Sequence, residues 1–495
     1  MKSLFFVLLH YDMDNLKEKT AKGIAWGAVN NGATQVLNLV FGIFLGRLLS
    51  TEDYGILALI TIFTLLAGCI QAAGFSQALA NLKPPTQRDY NAVAWFNILA
   101  GFTMYLVLFF CAPLIARFFD QPTLTDVSRL AFLTIPISAV GIVPNAKLWI
   151  ELRNREQAIA SIAALLASGC CGVWLAWNGY GYWSLAWQQV IYISVANILK
   201  YYFTRWCPTL PVDFSPIRRM FNFSSKMLLT NMLTVISQSV LTFIFGKLSA
   251  QNLLSISEVG LFNQANKWNT MGSSLISNTM AQVAQPVLAN VNNEEERQER
   301  VFRKMLRFAS FLSFPMMFGL SLVAHEFILT TVGPTWESCV PLLQMLCVGG
   351  ACLPLQGLYQ NFIISRGRSD IYLRLVALQI VLQIVLTLSL SAYGISVMVA
   401  AFSALNVLYT GCWHLGLRRI HALSATDVLK DTVPFAVLAA VVMVATHFLT
   451  LAVDVIWLLL LVRIIVAGAL YFVVMRLLNV DILQECLAFA KSRFL

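Results

Sequence analysis

The sequence predicts an all-α, polytopic membrane protein of about 14 transmembrane helices, and three observations predict it. Of its 495 residues, 58% are hydrophobic and only 12% charged, with a mean hydropathy of +0.72. A soluble domain carries about 25% charged residues and could not hide this much apolar surface from water. Apolar runs close to the roughly 20 residues needed to cross a hydrocarbon core of about 30 Å recur along the whole chain. Lys and Arg gather at alternate ends of those runs. Soluble enzymes, nucleic-acid binders and secreted disulfide scaffolds are excluded on these grounds. The net charge of +10 is dispersed in small groups, so nucleic acid is not an expected partner.

Residues 1–22 read as a cytoplasmic N-terminus. Leu4 to Leu9 is apolar but too short for a signal peptide, and no small-residue cleavage site follows. The stretch from Met13 reads as an ordinary start, and mass spectrometry of the N-terminal peptide is expected to find it beginning there. Spans near 23–46, 55–80, 92–115, 129–147, 157–177 and 182–203 make an N-lobe over 23–203. A cytoplasmic linker over 204–222 follows. In it Ser215-Pro216 can cap and open a helix, and Ile217, Met220 and Phe221 beside Arg218 and Arg219 suggest a short amphipathic helix on the inner leaflet. Spans near 223–246, 258–287, 306–325, 340–364, 372–391 and 394–416 make a C-lobe over 223–416. Two more, near 433–451 and 455–477, occupy 433–477. A cytoplasmic amphipathic tail over 481–495 carries Lys491 and Arg493.

The positive-inside rule tests the count. With the N-terminus cytoplasmic, the outer ends receive only Arg47, Arg117, Arg129 and Lys247. Lys267 and Arg463 fall within spans, and every other Lys and Arg lies at an inner end. A wrongly placed span would reverse every later loop, so the asymmetry supports an even number and two cytoplasmic termini. Outer loops such as Trp177 to Tyr182 and Ser391 to Ile395 are very short, which disfavours a membrane glycosyl polymerase with a sizeable outer domain.

Self-similarity organises the spans. Gly46-Arg47-Leu48 followed by Glu52-Asp53-Tyr54-Gly55 matches Gly246-Lys247-Leu248 followed by Glu258-Val259-Gly260. Arg153-Asn154-Arg155-Glu156 matches Arg366-Gly367-Arg368-Ser369, with Pro144 and Pro354 ahead of them. The offset of about 200–213 residues is close to six spans, so the halves share one orientation about an axis along the membrane normal. Two lobes around a central cleft suit alternating access.

Polar groups in the spans mark the candidate site. Lys267 lies about 10 Å into its span, counting from Gly260 at 1.5 Å per residue, where a lysine costs roughly 2.5–3.5 kcal/mol. Either it faces a water-filled cavity or it snorkels to the surface. Gln264, Lys267, Met271, Ser274, Asn278, Gln282 and Gln285 recur at three- and four-residue steps and form one stripe. Span one carries Asn31, Gln35 and Asn38; span two carries Thr61, Thr64, Gly68 and Gln71; span seven carries Asn231, Thr234, Gln238 and Thr242. A lone amide per helix would read as interhelical hydrogen bonding, whereas full stripes fit a hydrated cavity. Its cations are Arg47, Lys247 and Lys267 toward the outer end and Lys147 and Lys226 toward the inner end. Lysine is a point charge for phosphate and amides bond hydroxyls, so the pattern suits a phosphorylated sugar. The expected binding residues are Lys267, Gln264, Asn278, Gln282, Arg47, Asn31, Gln35, Asn38, Asn231, Gln238 and Lys226. No cofactor, metal or catalytic residue is expected: His325, His414 and His447 read as isolated, and no Gly-rich phosphate loop occurs. Arg463 is expected to pair within the last helices or to snorkel.

Ala25 to Gly55 and Phe221 to Val291 carry a resemblance. Glu258-Val259-Gly260-Leu261-Phe262-Asn263-Gln264-Ala265 corresponds to a Gly-x-Tyr-x-x-Ala pattern, with Phe262 in place of the commoner Tyr, and Gln285-Pro286-Val287-Leu288 to a later Pro-x-Leu. The chain resembles the polysaccharide transporters, the Wzx-type lipid-linked oligosaccharide flippases of the multidrug/oligosaccharidyl-lipid/polysaccharide (MOP) exporter superfamily. The resemblance implies a bacterial inner-membrane flippase, not an enzyme, moving undecaprenyl-pyrophosphate-linked oligosaccharides for O-antigen, capsule or exopolysaccharide. It implies a basic residue at position 267, the bilayer and the lipid-linked oligosaccharide as partners, and a polymerase with chain-length machinery as candidate partners. The alternatives are a multidrug exporter of the same superfamily, a flippase for the peptidoglycan lipid precursor, a membrane polymerase or a non-transporting scaffold.

Overall fold

The computed structural model describes residues 26–27, 29–72, 79, 85–210, 213–290, 295–421, 423–480 and 482–485. Among these residues every regular element is a helix. In hydrocarbon a backbone amide or carbonyl has no water to bond, so each spanning segment satisfies its own polar groups by coiling. The expected N-terminal segment 1–22, the start at Met13 and most of the tail over 481–495 lie outside the described residues.

The chain forms two compact units, Met1–Ser239 and Val240–Leu495. The first holds α1 (29–48), α2 (Thr51–Ala72), α3 (Gln87–Phe118), α4 (Leu124–Phe132), α5 (Thr134–Ile150), α6 (Asn154–Trp177) and α7 (Tyr182–Thr204). The division falls within α8 (Ser215–Ala250). The second holds α9 (Ile256–Asn290), α10 (Glu295–Leu322), α11 (Ala324–Thr331), α12 (Cys339–Gly350), α13 (Leu353–Ser365), α14 (Ser369–Ser389), α15 (Ile395–Arg418), α16 (Ala425–Leu449) and α17 (Ile456–Leu477).

Among the described residues, 11 segments are long and apolar enough to cross a membrane. The other three expected spans are also helical. They are α1, the Tyr- and Trp-rich α7 and the amide-bearing α9, whose polar or aromatic side chains lower their hydropathy. The polytopic all-α architecture is thus borne out.

Three local features differ from expectation. Among the described residues no separate surface helix occupies the 204–222 stretch: Ser215 opens a helix that runs unbroken to Ala250. Pro216 sits in its first turn, where a missing N–H is harmless, and the Asp213 carboxylate accepts the Ser215 N–H at 2.8 Å. The fourth and tenth spans each split in two, at Leu133 and at Ala351–Cys352. Both breaks precede a proline in the first turn of the next helix, Pro136 and Pro354, whose ring and missing N–H end the preceding ladder. The two breaks mark the repeat better than the expected match of Pro144 with Pro354, because Pro144 lies inside α5.

The repeat has a physical basis at the helix ends. Ser50 and Asp53 form a reciprocal cap on α2: the Ser50 N–H donates to Asp53 Oδ2 (2.9 Å) and the Asp53 N–H to Ser50 Oγ (3.2 Å). Ser255 and Glu258 do the same on α9, at 2.7 and 3.1 Å. Such boxes satisfy two orphan donors at once. The second pair of matched motifs falls two residues from its expected register. Arg153 and Arg368 occupy equivalent cap positions, with φ/ψ of −85°/56° and −91°/54°, and each pairs with an acid just inside its helix, Glu156 and Asp370. The residue before each cap is left-handed: Gly367 at φ 71° and Leu152 at φ 56°. Packing repeats as well. In the first unit α5 contacts α2, α3 and α7, while α6 pairs with α7; in the second, α12 and α13 contact α9, α10 and α15, while α14 pairs with α15.

The last two helices belong to the second unit and are fastened to it by buried charges. Asp431 of α16, only 4% exposed, accepts from Arg303 Nε (2.7 Å) and Arg307 Nε (2.6 Å) of α10. On α17, Arg463 donates through Nη1 to Glu326 Oε1 of α11 (2.7 Å) and to the Leu322 carbonyl (3.3 Å). Its Nε reaches Thr450 Oγ1 (3.3 Å) and its Nη2 lies 3.1 Å from His447 Nδ1. Arg463 therefore pairs rather than snorkels, and its acid lies on α11, outside the last two helices where a partner was expected. His447 is not isolated, and His414 lies 3.4 Å from the Tyr359 hydroxyl.

Removing one partner of a buried pair leaves the other charge unpaired, at a loss of about 3–5 kcal/mol. Arg463→Leu is expected to lower Tm in detergent by that route, and Glu326→Leu added to it to recover most of the loss. Equal Tm for wild type and Arg463→Leu would contradict this assignment.

Candidate functional site

At 100° per residue, α9 has two distinct sides. Phe262, Ala265, Trp268, Asn269, Ile276 and Met280 share one side and are all buried. Trp268 meets the Phe327 ring of α11 edge-on at 5.1 Å. Gly272 lies against Met317 and Leu320 of α10, and Gly350 of α12 approaches Asn269 too closely for any Cβ. Lys267, Met271, Ser274 and Asn278 run along the roughly opposite side, away from this packing. Lys267 is half-buried and Asn278 exposed. Gln264 sits at the edge between the two sides. It is fully buried, and neither Oε1 nor Nε2 has a hydrogen-bond partner.

Among the described residues no carboxylate pairs with Lys267. Its Nζ rests 5.4 Å from the centroid of the Trp268 ring, within cation–π range. At 35 residues, α9 is about 52 Å long at 1.5 Å per residue. It begins at Ile256, ahead of the Gly260 assumed from sequence, so the depth of Lys267 does not follow from counting along the helix.

On α1, Asn31 and Asn38 are exposed and Gln35 is half-buried; on α8, Asn231 is half-buried and Gln238 exposed. None of these amides makes a side-chain hydrogen bond among the described residues. The hydroxyls of the stripes behave differently and bond their own helices. Thr61 donates to the Leu57 carbonyl (2.8 Å), Thr64 to Thr61 (2.8 Å), Thr234 to Thr230 (2.9 Å) and Ser274 to Met271 (3.1 Å). Among the described residues, these amides therefore do not fasten their helices to their own unit.

Arg47 and Lys247 close the last turns of α1 and α8, where a cation favours the C-terminal end of the helix dipole. Lys226 and Gln282 lie on α8 and α9, but their side chains fall outside the described residues. The structure thus brings Gln264, Lys267 and Asn278 onto one helix, Asn31, Gln35 and Asn38 onto a second, and Asn231 and Gln238 onto a third.

The acid missed from sequence is Asp431, buried and paired with Arg303 and Arg307; Glu326 is likewise buried, against Arg463. The available signal was the four-residue spacing of Asp427 and Asp431 against that of Arg303 and Arg307.

Residues 44–341 match the profile of the family described as Polysaccharide biosynthesis protein. The chain belongs to this family. Relatives within polysaccharide biosynthesis include the lipopolysaccharide biosynthesis protein WzxC of Escherichia coli (strain K12), 23% identical over 366 residues and 72% of each chain. The teichuronic acid biosynthesis protein TuaB of Bacillus subtilis (strain 168) is 23% identical over 362 residues, 72% of this chain and 74% of that one. Among solved structures, the lipid II flippase MurJ in an inward closed conformation superposes with a TM-score of 0.70 at 13% identity, over 92% of this chain and all of that one. An inward-facing multidrug resistance MATE transporter of the MOP superfamily gives 0.63 at 16%, over 80% and 96%. At such identities the two structures speak for the fold alone, and this member of the Polysaccharide biosynthesis protein family shares that fold. It is a multi-span membrane protein.

Wet polar faces are expected to react with water-soluble reagents. In a cysteine-free background, Asn38→Cys and Asn278→Cys should label with a membrane-impermeant maleimide at least ten times faster than Leu461→Cys on the apolar α17. Equal, slow labelling of all three would mean that the polar faces are dry.

Proposed function

We propose that this chain is a flippase that carries polyprenyl-pyrophosphate-linked oligosaccharides, undecaprenyl-linked in bacteria, across the inner membrane by alternating access. The observation that carries the reading is the face of α9 turned from its own core, bearing Lys267, Ser274 and Asn278 with no acid among the described residues to neutralise the lysine. A lysine supplies charge to a pyrophosphate and amides supply bonds to sugar hydroxyls. Family membership, WzxC and TuaB as relatives, and the fold shared with a lipid II flippase support it.

In this reading the cargo head contacts Lys267, Gln264, Asn278, Gln282 and Lys226, together with Asn31, Gln35, Asn38, Asn231, Gln238 and Arg47, while the polyprenyl tail stays in lipid. Both termini face the cytoplasm, the two halves related by the repeat move against each other, and the product feeds O-antigen, capsule or exopolysaccharide assembly. A polymerase and its chain-length machinery take over on the far side. A drug-cation exporter needs an available acid, and the buried acids Asp431 and Glu326 are instead held by arginines.

Deletion of the gene is expected to leave lipid-linked oligosaccharide on the cytoplasmic face of the inner membrane. Wild type relieves the build-up, and Lys267→Ala cuts relief by tenfold or more. Relief by both would return Lys267 to a snorkelling role. Absence of build-up together with sensitivity to cationic dyes would replace this reading with drug export.

A further inference from the structure

A groove of about 960 Å³ opens on the first unit, between the end of α2, one flank of α3 and the first turn and a half of α8. Its wall along α3 runs from Phe96 through Leu99 and Ala100 to Val107, and Ile217 and Arg218 stand at its other side. Leu99 and Val107 are more than half exposed, so the wall is apolar and open. One cation belongs to it. Arg218 is exposed and has no ion-pair partner among the described residues. The nearby acid, Asp213, is taken by Arg88, which also donates to Ser215 Oγ.

From this we propose that the groove holds an anionic glycerophospholipid, with an acyl chain along α3 and its phosphate at Arg218. Length and charge both lead there. Phe96 to Val107 spans about 16 Å at 1.5 Å per residue, the depth of one leaflet of a core of about 30 Å. An acyl chain ends within a leaflet, whereas a polyprenyl chain long enough to reach the second leaflet overruns the wall. A free phosphate has no use for an apolar wall. A guanidinium without a carboxylate partner among the described residues, in the first turn of α8 and on the groove's lining, is placed to meet a headgroup phosphate. Its lining shares no residue with the polar faces of α1, α8 and α9, and the proposal does not depend on the cargo.

The test is lipid retention by the full-length protein in detergent, followed by native mass spectrometry with phosphatidylglycerol and phosphatidylcholine as probes. Wild type is expected to hold one phosphatidylglycerol in preference to phosphatidylcholine. Arg218→Gln should weaken phosphatidylglycerol about fivefold, as removal of one basic group at an anionic lipid surface does, and abolish the preference. Arg218→Lys should keep most of it. Ala100→Trp, which fills the groove, should lose both lipids, with circular dichroism matching wild type as the check on folding. Unchanged phosphatidylglycerol retention in Arg218→Gln and Ala100→Trp would overturn the proposal. Displacement of the lipid by an equal concentration of polyprenyl phosphate would overturn it too, by assigning the groove to an isoprenoid.

Discussion

Hydrocarbon offers a backbone nothing to bond, and the rest of this structure is a set of answers to that constraint. Coiling satisfies the interior of each helix, but the first N–H groups and last carbonyls of every helix still need partners. Ser50 with Asp53 and Ser255 with Glu258 supply them at corresponding corners of the two units. Asp53 also accepts the Tyr182 N–H at 2.9 Å, so one carboxylate fastens both the α1–α2 corner and the start of α7. Where the chain breaks inside a span, at Leu133 and Ala351–Cys352, a first-turn proline sets the restart.

The same constraint separates two kinds of polar group. Side chains that fasten a unit to itself are buried and paired: Asp431 between two arginines, Arg463 on Glu326, and Asn197, whose amide donates to the Ile137 carbonyl. Side chains of the polar faces, such as Asn38, Gln238 and Asn278, are at the surface of their unit and make no such bonds among the described residues. Burial and partnership, rather than residue type, distinguish structural polarity from polarity available to a ligand.

Most of the fold was legible in the sequence because a span is written in hydropathy over some 20 positions, a signal too long to miss. The spans, their order and the repeat could all be read that way. Boundaries depending on a single side chain could not. The breaks at Pro136 and Pro354 lie inside continuous apolar runs, and the start of α8 at Ser215 required knowing that nothing interrupts the helix after Met220. The register of the repeat slipped by two because Arg366 and Arg368 both resemble Arg153 in sequence, and only the dihedral angles choose Arg368. For the candidate site, the periodicity of α9 showed that Lys267 and Asn278 share a face. Periodicity could not show that Gln264 is buried, or that Glu326 and Arg463, far apart in sequence, meet.

That last pairing bears on how the protein is made. Glu326 precedes Arg463 by 137 residues, so at about 5–20 residues per second the acid waits about 7–27 s for its partner to be synthesised. During that interval α10 and α11 enter the membrane with a carboxyl group that the finished protein keeps away from both lipid and water. The second unit therefore cannot complete its interior until α17 arrives, and that step of assembly is electrostatic as well as hydrophobic.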